Sequence, residues 1–165
     1  MKGPDSAAPR RIALICVLTC ALGALAPARG LAEPFESDPA AIARDADYAA
    51  GKQAMEKKNW SEALKRYEIA LKRNPDNADL HNYLGFSYRN AGKMDLAFKH
   101  YLRAIELDPR HRGAHEYIGE AYLMVKNLAK AEVHLAALEK ICLLPCEELD
   151  DLRAKIAAYR KGASN

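Results

Sequence analysis

The sequence predicts an all-α protein, an α-solenoid of three helical hairpins closed by a C-terminal capping helix. Three observations carry that expectation. The chain matches itself at a fixed period of 34 residues: Gly51, Gly85 and Gly119 fall in step, as do Ala63, Ala97 and Ala131, and the bulky Trp60, Met94 and Leu128. Apolar residues inside each period recur at helical spacing, with Leu84 and Tyr88, then Ala97, Tyr101, Ala104 and Ile105 in the second unit. Breaker residues fall where a hairpin needs them, at Asn90-Ala91-Gly92 between two helices and at Asp108-Pro109 after the second. A fixed period means repeated units that bury their faces against one another.

The period sets the unit boundaries at 44–77, 78–111 and 112–145. Tyr67, Tyr101 and Leu135 share one register position, Ala70, Ala104 and Leu138 another, and Pro75 and Pro109 close the first two units. The small residues have a packing reason, since Gly85 and Ala97 let two helices approach while Tyr88 and Tyr101 fill the space beside them. Asp38-Pro39 reads as an N-cap and first helical position, so the first helix is expected to start early and run to about Lys58. Leu149, Leu152, Ile156 and Tyr159 lie on one face of Glu147 to Lys161. That segment is the expected capping helix, within a cap and tail at 146–165, which keeps the last apolar face out of water.

Ahead of the repeats, Lys2, Arg10 and Arg11 precede a 15-residue apolar run from Ile12 to Ala26, and Gly30-Leu31-Ala32 places small residues before a cut at Glu33. That is the layout of a secretory signal peptide at 1–32, followed by a leader and helix start at 33–43. The run is shorter than the ~20 residues of a membrane-spanning helix, so membrane contact would come only through an uncleaved or lipidated N-terminus. The chain holds 25 Lys and Arg against 22 Asp and Glu, and residues 1–32 contain four of the bases and one of the acids. The remainder therefore has 21 of each, and its bulk charge gives no reason to expect nucleic acid or an anionic membrane as a partner. An exported protein of the bacterial envelope, periplasmic or secreted, is the expectation.

The second unit, with Leu84-Gly85, Tyr88, Ala97, Tyr101, Ala104 and Pro109, resembles the tetratricopeptide repeat. Unit one keeps Gly51, Ala63, Tyr67, Ala70 and Pro75, and unit three keeps Ile118-Gly119, Tyr122 and Ala131 before drifting to Leu135, Leu138 and Leu143. The resemblance implies a concave groove lined by the first helices and a peptide or protein segment as its occupant. Carried over position by position, it points to Tyr48 and Lys52 in unit one, Asn82, Phe86 and Arg89 in unit two, and Glu116 and Glu120 in unit three. Phe86 is a large apolar group where the repeat pattern does not demand one, which makes it the expected anchor. The resemblance also implies an absence. Carboxylate-clamp members of the family place Lys, Asn and Arg where this chain has Tyr48, Lys52, Tyr83, Gly113 and Tyr117, so a free C-terminal carboxylate is not the expected ligand.

No catalytic set stands out, and neither a cofactor nor a small-molecule substrate is implied. The serines after residue 32 are Ser37, Ser61, Ser87 and Ser164, none of them in a Gly-x-Ser-x-Gly turn. His81 and His115 are 34 apart, and so are His100 and His134. Residues that recur with the repeat read as packing rather than as metal ligands. His111 and His115 alone make a thin zinc site, so no metal is expected. Cys142 and Cys146, the only cysteines after residue 32, read as a disulfide at the junction of the last repeat and the cap. The alternative readings are a redox- or metal-responsive envelope protein using that pair, and a structural protein whose repeats self-associate.

Overall fold

The computed structural model describes residues 42–163; the segment expected to be a signal peptide and the Asp38-Pro39 start lie outside them. Among the described residues there are seven helices: α1 (Ala46–Glu56), α2 (Trp60–Arg73), α3 (Ala78–Asn90), α4 (Met94–Leu107), α5 (Arg112–Met124), α6 (Leu128–Ile141) and α7 (Glu147–Ala163). They pack as three hairpins, α1 with α2, α3 with α4 and α5 with α6. Each hairpin rests on the next through α2 with α3 and α4 with α5, and α7 closes the stack against α5 and α6. No described helix is long and apolar enough to cross a membrane.

The helix ends follow the period as closely as the core does. Trp60, Met94 and Leu128 each open the second helix of their unit. Asn59, Asn77 and Asn127 turn their side-chain oxygens onto Glu62 N (3.2 Å), Leu80 N (2.8 Å) and Lys130 N (3.1 Å), and each satisfies an amide that has no helical partner. His111 stands in register with Asn77 and does the same work through Nδ1, accepting from Ala114 N at 3.1 Å. Within each hairpin the turn carries a left-handed residue at the same place: Lys58 (φ 55°), Gly92 (φ 74°) and Lys126 (φ 58°). Only the second unit has the residue that adopts this conformation freely.

One boundary differs from the sequence expectation. The expected first helix is interrupted: residues 42 and 43 are helical, the chain breaks at Arg44 and Asp45, and α1 then runs from Ala46 to Glu56. Asp45 is extended (φ −73°, ψ 118°), and its carboxylate accepts from Asp47 N (2.9 Å) and Tyr48 N (3.0 Å). Arg73 on α2 then holds Asp45 and Asp47 together, at 2.8 and 2.7 Å, and keeps both carboxyls below their ordinary range. A carboxylate on free amides at a helix start competes well with continuing the helix through that residue. Ile42, just before the break, is buried in the core of the first two hairpins.

The core has two parts. One joins the first and second hairpins and reaches Ile118 and Ala121; the other is built by Ala131 and Leu138 with Cys146, Leu149, Leu152 and Ile156 of the cap. In hairpin two, a methyl group at Gly85 would stand 2.6 Å from the Tyr101 ring, so the ring occupies space that only glycine leaves. The third hairpin solves the same problem differently. Position 135 is Leu rather than Tyr, and the space above Gly119 is filled by Leu152 of α7, 2.7 Å from where a methyl would sit. The drift of unit three away from the repeat pattern is thus matched by the cap. Cys142 and Cys146 are joined as a disulfide across the α6–α7 junction, their Cα atoms 6.1 Å apart.

Candidate functional site

The first helices α1, α3 and α5 present the face on which the sequence placed a groove. Tyr48 on α1 and Tyr83 on α3 stand with ring centroids 5.9 Å apart, and Tyr83 also stacks on Tyr67 at 5.7 Å. Further along, Phe86 on α3 meets Tyr117 on α5 at 4.9 Å and Trp60 at 5.9 Å. Lys52 lies over the rings of Tyr48 (5.8 Å) and Tyr83 (6.0 Å), while the Arg89 guanidinium lies over Phe86 (5.0 Å) and Tyr117 (5.6 Å). The result is a row of half-buried aromatic groups crossing all three hairpins, with cations on its rings.

The seven sequence-chosen groove residues lie on α1, α3 and α5, in different surroundings. Tyr48, Lys52 and Phe86 belong to the aromatic row. Arg89 is only 8% exposed; its guanidinium donates to Tyr117 O at 3.1 Å and pairs with Glu120 at 2.7 Å. Lys155 of α7 also pairs with Glu120. Arg89 and Glu120 therefore pin α3 to α5 and α5 to the cap. Met124 is exposed beside them and, with Leu123 and Tyr159, lines a depression of about 560 Å³.

Glu116 and Asn82 are the unusual pair. Glu116 is 7% exposed, and its carboxyl is pushed up to about 8, first by burial and then by the neighbouring Glu120. Asn82 is 3% exposed, and its Oδ1 has no hydrogen-bond partner. Both line a recess of about 340 Å³ together with Asp79, Tyr83, Tyr117 and the start of α7. Nearby, His111 Nε2 donates to Asp79 Oδ1 at 3.1 Å, because its Nδ1 is already an acceptor, and this holds the Asp79 carboxyl below its ordinary range.

Tyr83 and Tyr117 were seen in the sequence only as residues that break the carboxylate clamp, yet they are central to the row. Their 34-residue spacing was the available signal. The α7 carboxylates of the recess carried no such signal, since they reach the site only through the docking of the cap.

The remaining histidines pair within a hairpin, between its two helices, rather than along the period. His81 Nδ1 meets His100 Nδ1 at 3.0 Å and His115 Nδ1 meets His134 Nδ1 at 3.0 Å. Tyr88 stacks on His100 and Tyr122 on His134. Both pairs are part of the packing between first and second helices. Among the described residues no three His, Cys, Asp or Glu side chains converge to hold a metal ion.

A sequence model of the tetratricopeptide repeat family matches residues 48–111 and again 87–141, together more than half of the chain. No curated protein matches the chain. Among solved structures, the Yersinia enterocolitica type III secretion translocator chaperone SycD superposes with a TM-score of 0.66 at 19% identity, covering 79% of this chain and 90% of that one. SycD in complex with a peptide of the translocator YopD gives 0.61 at 17% identity, covering 70% and 88%. The TPR2B domain of yeast Sti1, in its pHsp70 complex, gives 0.59 at 24% identity, covering 68% and 94%. At these identities the likeness is one of fold.

Proposed function

The chain belongs to the tetratricopeptide repeat family, and from that premise we propose that it is an exported protein-interaction module. In this reading it holds a peptide or an extended protein segment along the face of α1, α3 and α5, as an adaptor, assembly factor or chaperone-like holder of the cell envelope. The aromatic row carries the reading. Tyr48, Tyr83, Phe86 and Tyr117 are large rings on successive first helices, partly open to solvent and stiffened by contacts with one another. Rigid aromatic groups of this kind are the usual anchors of a polypeptide ligand, because little side-chain entropy is lost when they are covered. Two of the fold neighbours, SycD with a YopD peptide and the Sti1 domain with pHsp70, are complexes with polypeptide ligands, which supports a similar use of this fold here. Export is supported by the signal-like N-terminus and by the Cys142–Cys146 disulfide, a bond that persists in oxidising compartments.

Crosslinking in the exported compartment followed by mass spectrometry tests both parts. The expected result is a chain beginning at Glu33 and a partner captured by the wild type, with capture reduced about tenfold or more in Phe86→Ala, the loss of one anchor side chain, and folding retained. Equal capture by wild type and variant would remove this face from the account. A chain found in the cytoplasm with its first 32 residues intact would remove export.

A further inference from the structure

The turns that follow the second helices lie at Pro75, Pro109 and Leu143, one repeat of 34 residues apart. Each comes after the end of α2, α4 or α6, so all three stand on one edge of the stack. The first two carry proline at that position. The third carries Leu143 and Leu144, 86% and 80% exposed, on a short loop closed by the Cys142–Cys146 disulfide. Neither leucine packs into either part of the core, so the described residues give them no partner. On the same edge, beside Pro75, lies a recess of about 610 Å³. Its walls include Pro75, the paired rings of His81 and His100, and Leu102 of α4, which is 52% exposed. Arg103 also lines it, but Asp76 (2.6 Å) and Glu106 (2.8 Å) hold its guanidinium. One edge thus carries both an apolar knob and a largely apolar hole.

We propose that two copies of this chain pair along this edge, antiparallel about a two-fold axis at the Pro109 turn, each inserting Leu143 and Leu144 into the other's recess. The equal spacing of the turns carries the geometry. Rotating the edge about its middle turn exchanges the third turn with the first, so the knob of each copy meets the hole of the other. The charges along the edge are self-complementary in the same arrangement. Asp108 and Arg110 flank the middle turn, both exposed and without an ion pair among the described residues, and the two-fold sets each against its opposite. Lys140 and Glu147 stand on either side of the leucine loop, and the recess offers Glu106 and Lys99 to them. Two contacts made at once let small surfaces hold, and a loop already closed by a disulfide has little freedom to lose. The aromatic row on α1, α3 and α5 is not part of this edge, so the pairing stands apart from the peptide-binding reading.

Sedimentation velocity of the full chain over a concentration series tests the pairing. The wild type should form a dimer. Leu143→Ser combined with Leu144→Ser, or Leu102→Arg alone, should weaken association about tenfold or more. All three side chains are exposed, and circular dichroism checks that the variants fold. Mixing the two variants should recover a dimer, because one intact knob then meets one intact recess. A wild type that stays monomeric would overturn the proposal and leave the leucines to a foreign protein or a membrane surface. A dimer indifferent to the substitutions, or a mixture that stays monomeric, would overturn it as well. If Leu102→Arg does not fold, the wild type alone decides. In a mixture of isotope-labelled and unlabelled chains treated with an amine-reactive crosslinker, Lys140 of one copy should link to Lys99 of the other. A dimer that lacks this link between copies would contradict the pairing.

Discussion

His81 and His115 are each held in a single neutral tautomer. Pro75 and Pro109 carbonyls, at 3.0 and 3.2 Å from Nε2, can only accept, so Nε2 carries the hydrogen and Nδ1 must accept from His100 or His134. A second proton on either pair would set two N–H groups against each other. Burial first, and the partner ring next, push His100 and His134 down to about 4, and burial lowers His81 and His115 as well. The sign of the linkage follows. A histidine whose folded value lies below its unfolded one, near 6.5, contributes stability that is complete above pH 6.5 and is lost as the pH falls towards 4. Urea titrations should show the wild type losing on the order of 2 kcal/mol per pair more than His100→Asn, His134→Asn between pH 7 and pH 4.5. Equal losses would mean the pairs do not sense the proton. The 34-residue recurrence marked these histidines as packing, which they are. Their partners lie 19 residues away across the hairpin, a contact that periodicity along the chain does not report. The buried Asn82 was equally hidden, since its side chain is read in the sequence as a groove contact whether or not anything in the chain answers it.

At the scale of the helix, the decisive contacts are those between small residues and the rings or branches that lie on them. Gly85→Ala would force a methyl against the Tyr101 ring and should cost about 1–3 kcal/mol as an overpacked site. Gly162→Ala, with nothing within 4 Å, should be neutral or slightly stabilising, because alanine is the better helix former. Thermal melts of the two variants check the register directly; similar melting temperatures would show that the first and second helices do not meet at residue 85. Helix identity was legible because packing periodicity, turn residues and caps agree in each unit. The start of α1 was not. The break at Asp45 depends on Arg73, which the hairpin brings 28 residues back to it. Unit three shows the same limit. Its loss of the second-helix tyrosine looked like drift, whereas Leu152 of α7 takes over that space.

Over the whole molecule, the hairpins, α7 and the disulfide form one stack whose last apolar face is covered. The cap does more than close the core, since Lys155 reaches Glu120 and the α7 carboxylates complete the recess around Glu116. The expected capping helix was visible as an apolar stripe, but its part in the site depends on the angle at which it docks. The disulfide loop between α6 and α7 is also the most apolar exposed point among the described residues, with Leu143 86% and Leu144 80% exposed. It offers a surface that competes with the first-helix face for the role of docking site. Hydrogen exchange of the full chain, with and without the partner captured by crosslinking, separates the two. Binding along the aromatic row predicts slowed exchange in α1, α3 and α5 and at the start of α7, with α2, α4 and α6 little changed. Protection confined to the second helices or to the loop at 142–146 would contradict the central claim that the first helices hold the partner.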